Sequence, residues 1–318
     1  MKAVSLATML ALAAVPSAFA QTYPTKPIRL IVGFTPGGGV DINARMLAPK
    51  LTEYLGQQVI VENRPGAGTN IANELVAKSA PDGYTMLINT AALVINMALY
   101  PKLNYDATRD LAGLSTFSRS PNILVVHSSV PVKTIKEFVA LARSRPGGLN
   151  YSSSGSGTTQ HLSGELFNVR NKVKMVHVPY RGTAPSLTAL IGGEVDMSFA
   201  NIPAIHAHVV SGRLRPLANT GPQRAERLPN VPTMKESGID MEVVVWYGLF
   251  APKATPREIV TTLSEAINRA SQAPDVRQRL IEMGGEPAGM APDAFDKFVL
   301  AERAQWAEVV RLSGARAE

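Results

Sequence analysis

The chain has 318 residues, no cysteine, and 32 lysines and arginines against 25 aspartates and glutamates, a formal charge of +7. Without cysteine there can be no disulfide, thiolate metal site, cysteine nucleophile or lipoprotein anchor, so the fold rests on its own core. The basic residues are scattered rather than gathered into an arm, which argues against nucleic acid, while a mildly positive field favours small anions.

The first twenty residues read as a cleaved export signal. Lys2 is the only charge, an apolar run follows over 3–15, and Ala18-Phe19-Ala20 supplies the small residues of a cleavage site. The run is shorter than the ~18–20 residues of a membrane span, and Pro16 interrupts it. The expectation is a periplasmic protein beginning at Gln21, long enough for two lobes of ordinary size.

Short apolar runs then alternate with helical stretches. Strands are expected over 28–33, 58–62 and 84–88, with helices over 40–54 and 71–78 between them, the signature of βαβ units and a mostly parallel sheet. The rhythm resumes with a strand over 123–127 and a helix opened by the capping box Thr134-Ile135-Lys136-Glu137. Further strands are expected near 149–152, 174–178, 195–199 and 214–219. A long strand over 241–250 precedes a helical tail. There Thr255-Pro256-Arg257-Glu258 reads as a second capping box, with the proline at the first helical position. The last helix, 292–312, carries Phe295, Phe298, Val299, Trp306 and Val309 at helical spacing, read as core packing. Crossings between lobes near 119–122 and 242–246 would form a two-strand hinge. The organisation expected is a signal over 1–20, one lobe of 21–121 with 246–318, and a second lobe of 122–245.

Two glycine-rich segments carry the functional argument. Phe34-Thr35-Pro36-Gly37-Gly38-Gly39-Val40-Asp41 lies between a strand and a helix, and so does Ser152-Ser153-Ser154-Gly155-Ser156-Gly157-Thr158-Thr159-Gln160-His161. A helix start leaves backbone N–H groups without partners and adds about half a positive charge. Glycine lets a ligand oxygen come close to the backbone. In α/β folds such loops, at the carboxyl ends of strands, are where ligands sit. Neither loop has the pattern of a nucleotide-binding motif: the first lacks Gly-Lys-Ser/Thr and the second lacks a third glycine. One cluster could be only a tight turn; two, one in each lobe, point to an anion clamp.

At these loops the sequence resembles the periplasmic receptors of tripartite tricarboxylate transporters, the Bug family. The same holds for Val61-Glu62-Asn63-Arg64-Pro65-Gly66-Ala67-Gly68, Ala80-Pro81-Asp82-Gly83-Tyr84-Thr85, Val178-Pro179-Tyr180-Arg181-Gly182, Gly193-Glu194-Val195-Asp196 and Trp246-Tyr247-Gly248-Leu249-Phe250-Ala251-Pro252. The blocks cover essentially the whole mature chain in order. The resemblance implies a two-lobed α/β fold of the type II periplasmic binding class, a Venus flytrap in which each lobe is a mostly parallel sheet flanked by helices. It also implies a monomer that takes a small organic acid and serves the integral membrane permease subunits of such a transporter, without cofactor or metal. Carried over, it points to Thr35, Pro36, Gly37, Gly38 and Gly39 on one side and to Ser154, Gly155, Gly157, Thr158 and Thr159 on the other. Phe34 would line the wall. Beside Tyr180, where the family often shows lysine, this chain has Arg181, either a bidentate carboxylate partner or a solvent-facing side chain.

Other residues invite chemistry with less support. His161 and Glu165 share a helix face, but there is no H-E-x-x-H, so His161 is read as a surface or capping residue. Ser152, Ser153 and Ser154 suggest a hydrolase, yet no G-x-S-x-G elbow or assigned base accompanies them, and no catalytic residue is expected. Asp41 suits the first turn of its helix. Asn89-Thr90 could reach the cleft, Asp196 reads equally as a turn cap or a cleft-facing group, and Trp246 and Tyr247 either stack on a ligand or pack the hinge. A receptor that presents its ligand to a membrane kinase shares all these features with a transport receptor.

Overall fold

A computed structural model describes residues 23–317; the expected export signal, 1–20, lies outside them. The first stretch runs β1 (Ile28–Val32), α1 (Gly39–Leu55), β2 (Val59–Asn63), α2 (Asn70–Ala77), β3 (Thr85–Asn89), α3 (Ala92–Leu99), α4 (Ala107–Asp110) and β4 (Leu111–Pro121). The middle runs β5 (Ile123–His127), α5 (Ile135–Ser144), β6 (Asn150–Ser153), α6 (Thr159–Asn171), β7 (Val176–Pro179), α7 (Thr183–Ile191), β8 (Met197–Ala200), α8 (Ile202–Val210) and β9 (Leu214–Asn219). The chain ends with β10 (Val244–Pro252), α9 (Arg257–Gln272), α10 (Pro274–Glu282), β11 (Glu286–Pro287) and α11 (Pro292–Ser313).

The strands form two sheets, ordered β11-β4-β10-β3-β1-β2 and β7-β6-β8-β5-β9. In the first, β1 pairs in parallel with β2 and β3, while β10 is antiparallel to β3 and β4. In the second, β6 is parallel to β7 and β8, while β5 is antiparallel to β8 and β9. Most strands of each sheet therefore share one direction. Of the reversed strands β5, β10 and β11, the first two are those that the chain forms first after each crossing. A strand that enters a sheet at the end facing the other sheet must run away from it, against the strands whose carboxyl ends face that opening.

Strand β1, Ile28-Arg29-Leu30-Ile31-Val32, is covered on both faces. Leu30 and Val32 pack with Leu47 and Leu51 of α1 and Leu263 and Ile267 of α9. Ile31 turns to the other face, with Val76, Leu93 and Phe295. That two-residue alternation, buried both ways, is why the run reads as continuously apolar. Helix α11 buries Phe295, Val299, Trp306 and Val309 of the expected stripe and leaves Phe298 partly buried against the core.

Strand β4 was not legible in the sequence. Its small polar residues are buried because helices pack close: Ser115 Oγ donates to Asn268 Oδ1 at 2.6 Å and accepts from the Met290 N–H at 3.0 Å. The Thr134 cap forms, accepting from the Glu137 N–H at 3.2 Å. The second box does not. Helix α9 takes Pro256 as its cap residue, with extended ψ and no side-chain cap bond, so the proline lies outside the helix and Thr255 is not the cap.

The two crossings are stitched through one threonine. The Thr220 N–H donates to Asn122 O at 2.9 Å, and the Asn122 N–H donates to Thr220 Oγ1 at 3.0 Å. Thr220 Oγ1 donates in turn to Val243 O at 2.6 Å, and the Val243 N–H to Thr220 O at 2.9 Å.

Candidate functional site

Four helices open onto one chamber between the sheets. α1 follows β1, while α6, α7 and α8 follow β6, β7 and β8, so each begins where its strand's carboxyl end meets the opening. The walls include Thr35, Gly38 and Gly39 from the first loop and Ser154, Thr158, Thr159 and Gln160 from the second. Gly182 and Thr183 line it ahead of α7, Asn201 ahead of α8, and Phe34, Val40, Thr90, Asn122, Val245 and Tyr247 complete it. No charged side chain is among them.

The first turns of three of these helices are open. Gly38, Gly182 and Asn201 stand at the N-cap positions of α1, α7 and α8 without a side-chain cap bond. Three buried polar atoms of the wall lack any partner among the described residues: Asn122 Nδ2, Thr159 Oγ1 and Asn201 Oδ1. Asn122 and Thr159 are only 3% and 5% exposed. Unsatisfied groups at such depth cost about 1–3 kcal/mol each unless a guest answers them. The two donors suit a carboxylate oxygen, and Asn201 Oδ1 suits a hydroxyl or a bridging water.

The sheets are closed on each other here. A Cβ on Gly39 would lie 2.7 Å from Tyr247 Oη and 3.1 Å from Asn201 Nδ2. Thr35 Oγ1 lies 2.5 Å from where a Cβ on Gly182 would stand, and the Asn96 side chain abuts Gly157. The chamber is about 60 Å³, several times the ~10–15 Å³ one enclosed water needs. It continues through Phe34, Thr35, Ser154, Thr158 and Gly182 into an outer space of about 680 Å³, around which Arg181 is the one charged side chain.

The two loops are held differently. In the first, Asp41 accepts from the Gly37 N–H at 2.9 Å, from Asn63 Nδ2 at 2.9 Å and from Arg45 Nε at 3.0 Å. Burial alone would raise its carboxyl, but the bonds from Arg45, Gly37 and Asn63 hold it below the usual carboxylate range. In the second, His161 Nδ1 accepts from the Gly157 N–H at 3.2 Å, and His177 Nε2 lies 2.7 Å from Ser153 Oγ. The two imidazoles stack at 3.9 Å. Burial pushes His161 down to about 4; burial, with His161 beside it, pushes His177 down to about 3.

Several expected site residues lie elsewhere. Asn89 is fully buried behind the chamber, donating to Thr69 Oγ1 and Asn73 Oδ1 and accepting from the Thr90 N–H; Thr90 lines the wall instead. Asp196 precedes β8, at the far end of that strand from the opening, and accepts from the Asn150 N–H at 2.8 Å, so it is not a cleft group. Pro36 and Gly37 are exposed on the outer turn of the first loop. Gly155, Tyr180 and Arg181 border the outer space, and Gly157 forms the seam with Asn96. His161 is buried, not a surface residue. Ser153, the serine beside a histidine, is fully buried and also exchanges hydrogen bonds with Gly155, so the pair shapes the loop. Gly182-Thr183 and Asn201 were missed, though each follows a strand and opens a helix, the signal used for the two glycine loops. Asn122 and Tyr247 reach the chamber only because the crossings do.

Two α/β sheets, joined by paired crossings and closed over helix starts, define a two-lobed solute-binding fold of the type II periplasmic binding class. The family model described as the tripartite tricarboxylate transporter family receptor matches residues 43–314, and the chain belongs to that family. Protein BugT of Bordetella pertussis is 37% identical over 300 residues, 93% of this chain and 92% of that protein. Among solved structures, R. palustris Rpa4515 with adipate superposes with a TM-score of 0.87 at 37% identity, covering 93% of this chain and all of that one. MatC from Rhodopseudomonas palustris with bound malate gives 0.83 at 32%, covering 91% of this chain and all of that one.

Proposed function

We propose that this chain is a periplasmic receptor that closes on a small organic carboxylate and delivers it to the membrane permease of a tripartite tricarboxylate-type transporter. The observation that carries the reading is a chamber between the sheets with no charged side chain in its wall, lined by the starts of four helices and by two buried donors without a partner among the described residues. Each helix start contributes roughly 0.3–1 kcal/mol towards an anion, up to ~2 when partly buried, and charged hydrogen bonds about 1.5–3 each. Together these reach the ~8 kcal/mol of a micromolar complex. The adipate and malate held by similar proteins fit this chemistry.

In this reading Thr35, Gly38 and Gly39 meet Ser154, Thr158 and Thr159 around one carboxylate, and the rest of the molecule extends past Phe34 and Tyr180 towards Arg181. The lobes would be 21–121 with 246–318, and 122–245. In support, the strands of each sheet fall within those bounds apart from the first two residues of β10.

Thermal unfolding of the mature chain with a panel of mono-, di- and tricarboxylates tests the reading. A ligand at a hundred times its Kd stabilises by about 2.7 kcal/mol, a shift of several degrees. Adipamide, isosteric with adipate and neutral, should give none. Equal stabilisation by adipamide and adipate, or none by any acid of the panel, would overturn the assignment.

A further inference from the structure

A second cavity, of about 490 Å³, lies on the opposite face of β10. Alternate residues of that strand divide between the two spaces: Val245 and Tyr247 line the chamber, Val244 and Trp246 the second cavity. Trp306, Phe298 and Glu302 of α11 form another wall, and Thr116 of β4 and Glu242 of the second crossing complete the polar lining that matters here.

The charge and the unsatisfied groups point one way. Trp246 and Trp306 both donate their indole N–H to Glu302 Oε2, at 2.7 and 3.1 Å, which leaves Oε1 for a guest. Arg119, the one cation of the wall, is already paired with Glu286 at 2.7 Å. Glu242 brings a second carboxylate. Thr116 is 2% exposed, and its Oγ1 has no partner among the described residues. Carboxylates beside aromatic side chains favour a cation with an apolar body, through charge and the ring quadrupole. We propose that this cavity is a second binding site, for an organic ammonium ion. Its N–H groups would donate to Glu302 Oε1 and Thr116 Oγ1 while its apolar part packs against Phe298 and the tryptophans. The site does not depend on what the chamber binds.

The chain has two tryptophans, and both line this cavity, so intrinsic fluorescence reports its occupancy. Titrating the mature chain with 2-phenylethylammonium chloride should give a saturable change, matched by calorimetry. The neutral isostere propylbenzene should bind at least about tenfold more weakly. Glu302→Gln should weaken the ammonium by a similar factor. Should that variant fail to fold, Glu242→Gln, at an exposed position, should still show a weaker response. The proposal falls if the ammonium gives no saturable signal, if the neutral isostere binds equally well, or if the carboxylate variants bind like the parent.

Discussion

The two loops that close the chamber present the same thing, backbone N–H groups at a helix start, yet they are held by opposite kinds of chemistry. The loop before α1 is tied by an ionised carboxylate, Asp41, which gathers the Gly37 N–H, Asn63 and Arg45. The loop before α6 is tied by two neutral imidazoles, His161 buried and His177 partly buried, that reach Gly157 and Ser153. A charged clamp works near α1 because Arg45 is half-exposed and offsets the cost of burying Asp41. Beneath α6, His161 is buried and His177 partly buried against it, and burial disfavours a charge on either ring. Equivalent recognition surfaces thus rest on supports that respond to different conditions.

The largest expected effect concerns the contact between lobes. Gly39→Val places a side chain against Asn201 of the facing lobe as well as Tyr247 of its own, and Gly157→Val meets Asn96 while also forcing a residue at φ +80. Each should hold the lobes apart and weaken the acid that stabilises the parent by about a hundredfold or more, near 3 kcal/mol, by calorimetry. Gly37 sets the control: its φ is +82, yet nothing stands within 4 Å of its Cβ position. Gly37→Ala should cost about 1 kcal/mol in stability and leave affinity within about threefold. Equal losses for Gly37→Ala and Gly39→Val would mean that backbone strain, not closure, governs binding.

What the sequence made legible follows the same division. Both glycine loops, and the helices they open, could be placed because strand, glycine cluster and amphipathic helix are local patterns. Asn122 and Tyr247 could not, because their place at the chamber comes from the register of β4 against β10 and from the Thr220 stitching, both long-range. Asn89 and Asp196 were misplaced for a related reason. Residue type offered a ligand group, but only the fold decides whether a strand-end side chain turns to the opening or back into its own lobe. Strand β4 escaped because buried serines and a glycine, required by close helix packing, erase the apolar run that marks a strand.

Acid should separate the two supports. In the folded chain His161 and His177 titrate near 4 and near 3, against about 6.5 when unfolded. The unfolded chain therefore binds more protons between those values. Stability from this pair is full above about pH 6.5 and is lost as pH falls towards 4, by up to about 1.4 kcal/mol per pH unit for each histidine. Asp41, with its pKa lowered, loses its contribution only below the ordinary carboxylate range. Glu165, raised by burial, acts with the opposite sign. Melting temperature should fall between pH 6.5 and 4.5, and His177→Phe should reduce that slope by roughly half. An unchanged slope in the variant would remove the imidazole pair from the account.

The smallest effect tests whether the open helix starts are the seat of the ligand. Thr158 caps α6, accepting from the His161 N–H, and also donates to Gly155 O at 2.8 Å. Thr158→Ala should cost about 1 kcal/mol of stability. Gly38, the corresponding residue of α1, has extended backbone and only ordinary contacts at its Cβ position, so serine fits there. Gly38→Ser should therefore add a cap and a few tenths of a kcal/mol, yet its hydroxyl would occupy N–H groups that a carboxylate needs. One substitution should lower stability where a cap exists, and the other should raise stability while weakening binding. If Gly38→Ser gains stability and binds the acid as tightly as the parent, the first turn of α1 is not where the negative charge rests.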